Sequence, residues 1–222
     1  MPIAEVTLPD RAAAGLFGKI PSRGDFVRLG LPRGFVQPWD DWLQHVIAGS
    51  RAQLGEAWLP AWMEAPIWYF ALPAGMCGGD RVLGLWMPSV DRAGRHFPLT
   101  LALVLSGDAA TSEGGAWLAR AEAAGLEALR DALPPEVLAA RLQGGGAAIE
   151  AQAVALPDLG PLNAGQAVWW TEGSPFVPDG VRLLAALPGI DDFTMMLDAT
   201  SATASCPMDS DDADRPDGVE GT

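Results

Sequence analysis

The stretch Val82-Leu83-Gly84-Leu85-Trp86-Met87-Pro88-Ser89-Val90-Asp91-Arg92-Ala93-Gly94-Arg95-His96-Phe97-Pro98-Leu99-Thr100-Leu101-Ala102-Leu103-Val104-Leu105 decides the fold. Its two ends are apolar at odd and even positions alike. Successive side chains of a strand point to opposite faces, so both ends read as strands covered on both sides. The connector carries one acid, two arginines and the second of the chain's two histidines. It has the length of a hairpin loop or of a functional loop. Polar groups this close to a core either serve a site or tie the fold together.

Working outward, Ile67-Trp68-Tyr69-Phe70-Ala71-Leu72 is also apolar at both parities, and Gly78-Gly79-Asp80 supplies a turn before Val82. Upstream, Phe35, Trp39, Trp42, Leu43, Val46 and Ile47 recur at three- and four-residue steps, the pattern of one helix face. Pro38 fits that helix in its first turn, where its missing N–H leaves no bond unmade. A short helix is expected over 55–63. Gly15-Leu16-Phe17-Gly18-Lys19-Ile20 reads as a strand opening into the turn Pro21-Ser22-Arg23-Gly24-Asp25.

Downstream, Thr111-Ser112-Glu113 reads as a helix start, and Leu118, Ala121, Gly125, Leu129 and Leu133 mark one face of the helix. Pro134-Pro135 begins a shorter helix through Leu142, and Gly144-Gly145-Gly146 is a flexible break. Val168–Trp170 and Val181–Leu187 read as late strands. Asp191 or Asp192 is expected to cap a last helix, Phe193 to Leu197. A strand block flanked by helices on both sides in sequence points to an α/β sandwich.

The chain has 222 residues, nine of them tryptophan, and a formal charge of −14. Its length suits one substantial core, and its apolar content is that of a globular protein. Residues 199–222 hold six acids (Asp209, Asp211, Asp212, Asp214, Asp217, Glu220) and one base, Arg215, and the remainder is still −9. An acidic surface repels phosphate backbones and anionic headgroups, so neither nucleic-acid binding nor membrane docking is expected. No apolar run approaches the about 20 residues that cross a bilayer. The start of the chain lacks a basic region followed by an apolar one, so no signal peptide is expected. Cys77 and Cys206 make no disulfide framework. A soluble protein of a reducing compartment is expected.

Catalytic templates fit poorly. Gly15-Leu16-Phe17-Gly18-Lys19 has too few residues between its glycines for a phosphate loop, and Ile20 stands where Ser or Thr would hold magnesium. Ser89, Asp91 and His96 are the residue types of a nucleophilic triad, but there is no Gly-x-Ser-x-Gly elbow, since Met87-Pro88 precede Ser89 and Val90-Asp91 follow it. His45 reads as an ordinary helix residue and the cysteines are unclustered, so no metal is expected. Asp40-Asp41 reads as a pair of helix-start acids favoured by the macrodipole. Arg23-Gly24-Asp25 and Asp91-Arg92-Ala93-Gly94-Arg95 have matching chemistry, because a guanidinium fork fits a carboxylate. These residues either brace two loops against each other or face a partner or anion. The tryptophans read first as core.

Gly15-Leu16-Phe17-Gly18-Lys19-Ile20-Pro21-Ser22-Arg23-Gly24-Asp25-Phe26 resembles the opening signature of the TagF (also ImpM) family of bacterial type VI secretion. Leu31–Phe35, Trp39–Leu43 and Ala65–Trp68 look like its next blocks, and Met87–Leu99 like its most distinctive one. The resemblance implies a cytoplasmic, non-enzymatic, post-translational repressor of secretion that binds the forkhead-associated (Fha) scaffold protein. It implies a single-domain three-layer α/β/α sandwich, here expected with a mixed or largely antiparallel sheet. Residues 1–14 are expected as an N-terminal extension, 15–198 as the domain and 199–222 as a disordered acidic tail. Some relatives carry a PP2C-like phosphatase, for which this chain is short. No catalytic residue, metal ligand or cofactor is expected. Arg23, Asp25, Ser89, Asp91, Arg92, Arg95 and His96 are the candidates for partner binding or loop bracing, with the arginines and acids meeting at one end of the sheet. The same residues allow two other readings: a hydrolase using Ser89 and His96, or a phosphate- or phosphothreonine-binding module using Arg92 and Arg95.

Overall fold

A computed structural model describes residues 12–107, 114–144 and 152–200. Among these residues seven strands form one sheet in the order β2-β1-β5-β4-β3-β6-β7, with every neighbouring pair antiparallel. They are β1 (Ala12–Gly18), β2 (Val27–Leu29), β3 (Trp68–Leu72), β4 (Arg81–Met87), β5 (Leu99–Leu105), β6 (Ala167–Thr171) and β7 (Gly180–Leu184). Among the described residues five α-helices accompany them: α1 (Arg33–Leu54), α2 (Trp58–Glu64), α3 (Gly114–Arg130), α4 (Pro135–Leu142) and α5 (Ile190–Leu197). The chain is thus a mixed α/β domain on an antiparallel sheet.

The double-parity runs are the central strands. All seven residues of β5 are buried, as are all five of β3. Trp68, Phe70, Leu72, Val82, Trp86, Ala102 and Val104 join one core with the apolar stripes of α1, α2 and α5. Tyr69, Ala71, Leu83, Leu85, Met87, Leu101 and Leu103 join a second core with α3 and α4. Each aliphatic or aromatic side chain sealed in this way contributes about 1.5–3 kcal/mol. All nine tryptophans are buried, the most open at 9%. Several place the indole N–H on a partner: Trp39 donates to Thr100 Oγ1 at 2.9 Å, Trp42 to the Pro188 carbonyl at 2.8 Å, and Trp68 to the Met196 carbonyl at 3.0 Å.

Several boundaries differ from expectation. β1 starts at Ala12 because Ala12–Ala14 pair with Leu103–Leu105. β2 has no pattern of its own at three residues, and its pairing with Leu16–Gly18 creates it. α1 begins at Arg33, which puts Pro38 in the second turn and Asp40-Asp41 in the third. The macrodipole therefore does not explain those acids, and Asp41 instead accepts from Gln37 Nε2 at 3.1 Å. Residues 55–57 form a 3-10 turn ahead of α2. α3 ends at Arg130 rather than near Leu133, and Ala132 follows with φ of 50°. β7 stops at Leu184. Gly189, not an aspartate, is the N-cap of α5, and Asp192 reaches back to accept from its N–H at 3.1 Å. The expected helix start at 111–113, the break at 145–146 and most of the expected tail, 201–222, lie outside the described residues.

Candidate functional site

The sheet register brings the two signature loops together. Gly18, at the end of β1, pairs with Leu99 at the start of β5, and Leu99 pairs with Met87 at the end of β4. The loops 19–26 and 88–98 therefore leave the sheet side by side. Gly18 lies at φ +129°, and a Cβ there would sit 1.9 Å from the Pro98 carbonyl oxygen. Only glycine lets the two chains approach this closely.

That approach turns Lys19 inward, where it is only 5% exposed. Its Nζ lies 2.8 Å from Asp91 Oδ2, whose side chain is fully sealed. Asp91 organises its own loop as well. Oδ1 accepts from the Ala93 and Arg95 N–H groups, both at 2.9 Å, and Oδ2 accepts from Arg95 Nε at 2.7 Å. Gly94, at φ +80°, permits this tight turn, in which the Asp91 N–H donates to the Arg95 carbonyl at 3.1 Å. Burial opposes ionisation of Asp91. Lys19, the Arg95 amide and guanidinium, and the Ala93 amide overcome it and hold the carboxyl well below the usual carboxylate range.

Further bonds join the loops to each other and to α4. Arg95 Nη2 donates to the Gly24 carbonyl and lies 3.8 Å from Asp25. The Arg92 N–H donates to the Arg23 carbonyl at 3.0 Å. Ser22 Oγ donates to the Leu133 carbonyl at 2.8 Å, and Arg23 Nη2 lies 3.0 Å from Glu136 Oε1. Phe26, half exposed, packs edge-on to Phe97 with ring centroids 4.7 Å apart and lies 5.1 Å from Lys19 Nζ.

Arg23, Asp25, Asp91, Arg92 and Arg95 thus share one end of the sheet, but their roles differ. Asp91 is interior, and Arg95 ties the loops. Arg23 is held by Glu136, while Asp25 and the Arg92 side chain face outward. An open groove beside β2 is lined by Arg23, Phe26, Arg28, Arg92 and Glu136. Lys19, Arg28, Phe26 and Glu136 were not among the residues singled out from sequence. A lysine directly after an apolar strand was the signal for the first, because a buried lysine requires a counter-charge. Nothing local marks the others.

Ser89 and His96 line a second cleft with Pro21, Trp62 and Met63. The Ser89 hydroxyl donates its proton to the Lys19 carbonyl at 2.8 Å. His96 sits edge-on to Trp58 and Trp62, with ring centroids 6.0 Å and 6.4 Å away. Burial and then the positive charge of Arg51 lower its pKa. Asp91 faces Lys19 and Arg95, so it does not orient the imidazole as a triad acid would. The Lys19 ammonium is likewise sealed against Asp91 and does not point toward a phosphate site. Among the described residues no group of three or more His, Cys, Asp or Glu is arranged to hold a metal ion. No described helix is long and apolar enough to cross a membrane.

These features define an α/β domain whose signature polar residues brace two adjacent loops beside an open, arginine-lined groove. The chain belongs to the TagF family: the profile of the TagF N-terminal domain, type VI secretion system-associated, matches residues 15–144. The crystal structure of PA0076 from Pseudomonas aeruginosa PAO1 is similar, with 29% identity and a TM-score of 0.71, over 95% of this chain and 100% of that one. No curated protein matches the chain.

Proposed function

We propose that this protein is a post-translational repressor of type VI secretion that acts in the cytoplasm by binding a protein, the Fha scaffold of the system. Membership of a type VI secretion-associated family, through a match that includes both signature loops, carries this reading. The helices on either parity of the sheet suit the three-layer α/β/α sandwich expected for such a domain. The local chemistry favours binding over catalysis. Asp91, Arg95 and Ser89 direct their strongest bonds into the fold, which leaves a rigid surface with outward-facing Asp25, Arg28 and Arg92.

The test combines a chromosomal deletion with co-purification. Loss of the protein raises secretion output, and the tagged protein recovers the scaffold from its native bacterium. The variant Arg28→Glu/Arg92→Glu retains its fold and recovers less scaffold. Unchanged secretion in the deletion strain together with no scaffold recovery would overturn the proposal.

A further inference from the structure

The groove beside β2 holds two unsatisfied positive charges on a strongly acidic chain. Among the described residues, Arg28 and Arg92 have exposed guanidinium groups with no ion-pair or side-chain hydrogen-bond partner. Arg23 and Glu136 across the groove neutralise each other, Asp25, which also lines it, lies 3.8 Å from the Arg95 guanidinium, and the half-exposed Phe26 ring forms part of the wall. Such a site suits an extended acidic peptide, with carboxylates on the guanidinium forks and small apolar groups on the ring.

We propose that its occupant is the chain's own acidic segment, Asp209 to Glu220. The topology brings this segment within reach. Thr171, at the end of β6, and Gly180, at the start of β7, lie at the same end of the sheet as Gly18 and Met87. The Ala199 N–H donates to the Phe176 carbonyl between those two strands at 3.0 Å, so the described chain stops at that end as well. From β6 to β2 is five strand spacings, about 24 Å. The first acid, Asp209, is nine residue steps on from Thr200, enough to span about 30 Å when extended. Five aspartates and one glutamate, against the single base Arg215, over twelve residues then face two free arginines, at a high local concentration set by the tether. The contact occludes the outward surface assigned to the partner, so a scaffold that uses this groove competes with the segment.

The contact is tested on the full chain without any partner. A nitroxide is attached at Cys206, since Cys77 is buried and its thiol is pushed up to about 12. Amide peaks of Val27, Arg28 and Arg92 lose intensity relative to the reduced label at about 50 mM NaCl and recover at about 500 mM, as screening requires. The loss disappears in Arg28→Glu/Arg92→Glu and in Asp211→Asn/Asp212→Asn/Asp214→Asn. Full intensity at low salt, or a loss that survives either variant, overturns the proposal. Mixing isotope-labelled chains with unlabelled nitroxide chains gives no loss; a loss there assigns the groove to a second copy and overturns it also. None of these outcomes depends on whether the protein represses secretion.

Discussion

Replacing Lys19 by methionine isolates the buried ion pair beneath the signature loops. The substitution keeps most of the side-chain volume and removes the ammonium 2.8 Å from Asp91 Oδ2. Removing one partner of a buried pair costs about 3–5 kcal/mol, because the remaining charge is left poorly compensated. Here Asp91 keeps Arg95 Nε and two backbone N–H donors, so the expected loss is at the low end, about 3 kcal/mol. For a domain of this size that lowers Tm by about 6–12 °C. Urea unfolding at pH 7, followed by tryptophan fluorescence, measures the loss. In the double variant Lys19→Met/Asp91→Asn the two effects are not additive, because no unpaired charge is left inside. The acid limb supplies a second readout. The Asp91 carboxyl titrates lower in the folded chain than in the unfolded one, so its contribution is present above about pH 4 and is lost as the pH falls through the folded value. Stability of Asp91→Asn therefore falls less steeply than that of the parent below pH 4. A loss under about 1 kcal/mol in Lys19→Met would refute the reasoning, since Asp91 would then not depend on that ammonium.

Gly18→Ala combines a φ of +129° with a clash against the Pro98 carbonyl, and is expected to cost at least about 2 kcal/mol in the same assay; a change under about 0.5 kcal/mol would show that the two chains can separate at no cost. Burial and Arg51 hold the His96 pKa below its ordinary value near 6.5, so its contribution to stability is present above that pH and declines as the pH drops below it. His96→Gln flattens this decline below pH 6.5, and an unaltered slope would place the titrating group elsewhere. Cys77 is 1% exposed, and its thiol stays protonated at pH 8. Peptide mapping after treatment of the native protein with a thiol reagent finds Cys77 unmodified, and modified once urea unfolds the chain.

Much of this fold was written in local pattern. The runs around 82–87 and 99–105 are apolar at both parities, which a strand can satisfy only between two covered faces. The α1 stripe from Phe35 to Ile47 likewise required a partner surface, and the sheet supplies it. Elements whose existence depends on distant pairing were not legible. β2 is three residues long and exists because Leu16–Gly18 lie beside it. The end of α3 follows from the turn at Asp131–Ala132, which the apolar spacing toward Leu133 does not mark.

The candidate site divides in the same way. Sequence alone marked Asp91, Arg95, Arg23 and Asp25 as matching chemistry, because acids and guanidinium groups clustered beside glycines in two loops. It did not choose which of them turn inward. That choice belongs to the register of β1 on β5, which fixes Gly18 against Pro98 and drives Lys19 under the loop to meet Asp91, 72 residues away. Once Lys19 supplies the interior charge, Asp91 is sealed and Arg95 closes over it. Arg92 and Arg28 are left facing the groove. Local spacing determined which chemistry was present; only tertiary packing, by setting which charges lose their water, decided where it points.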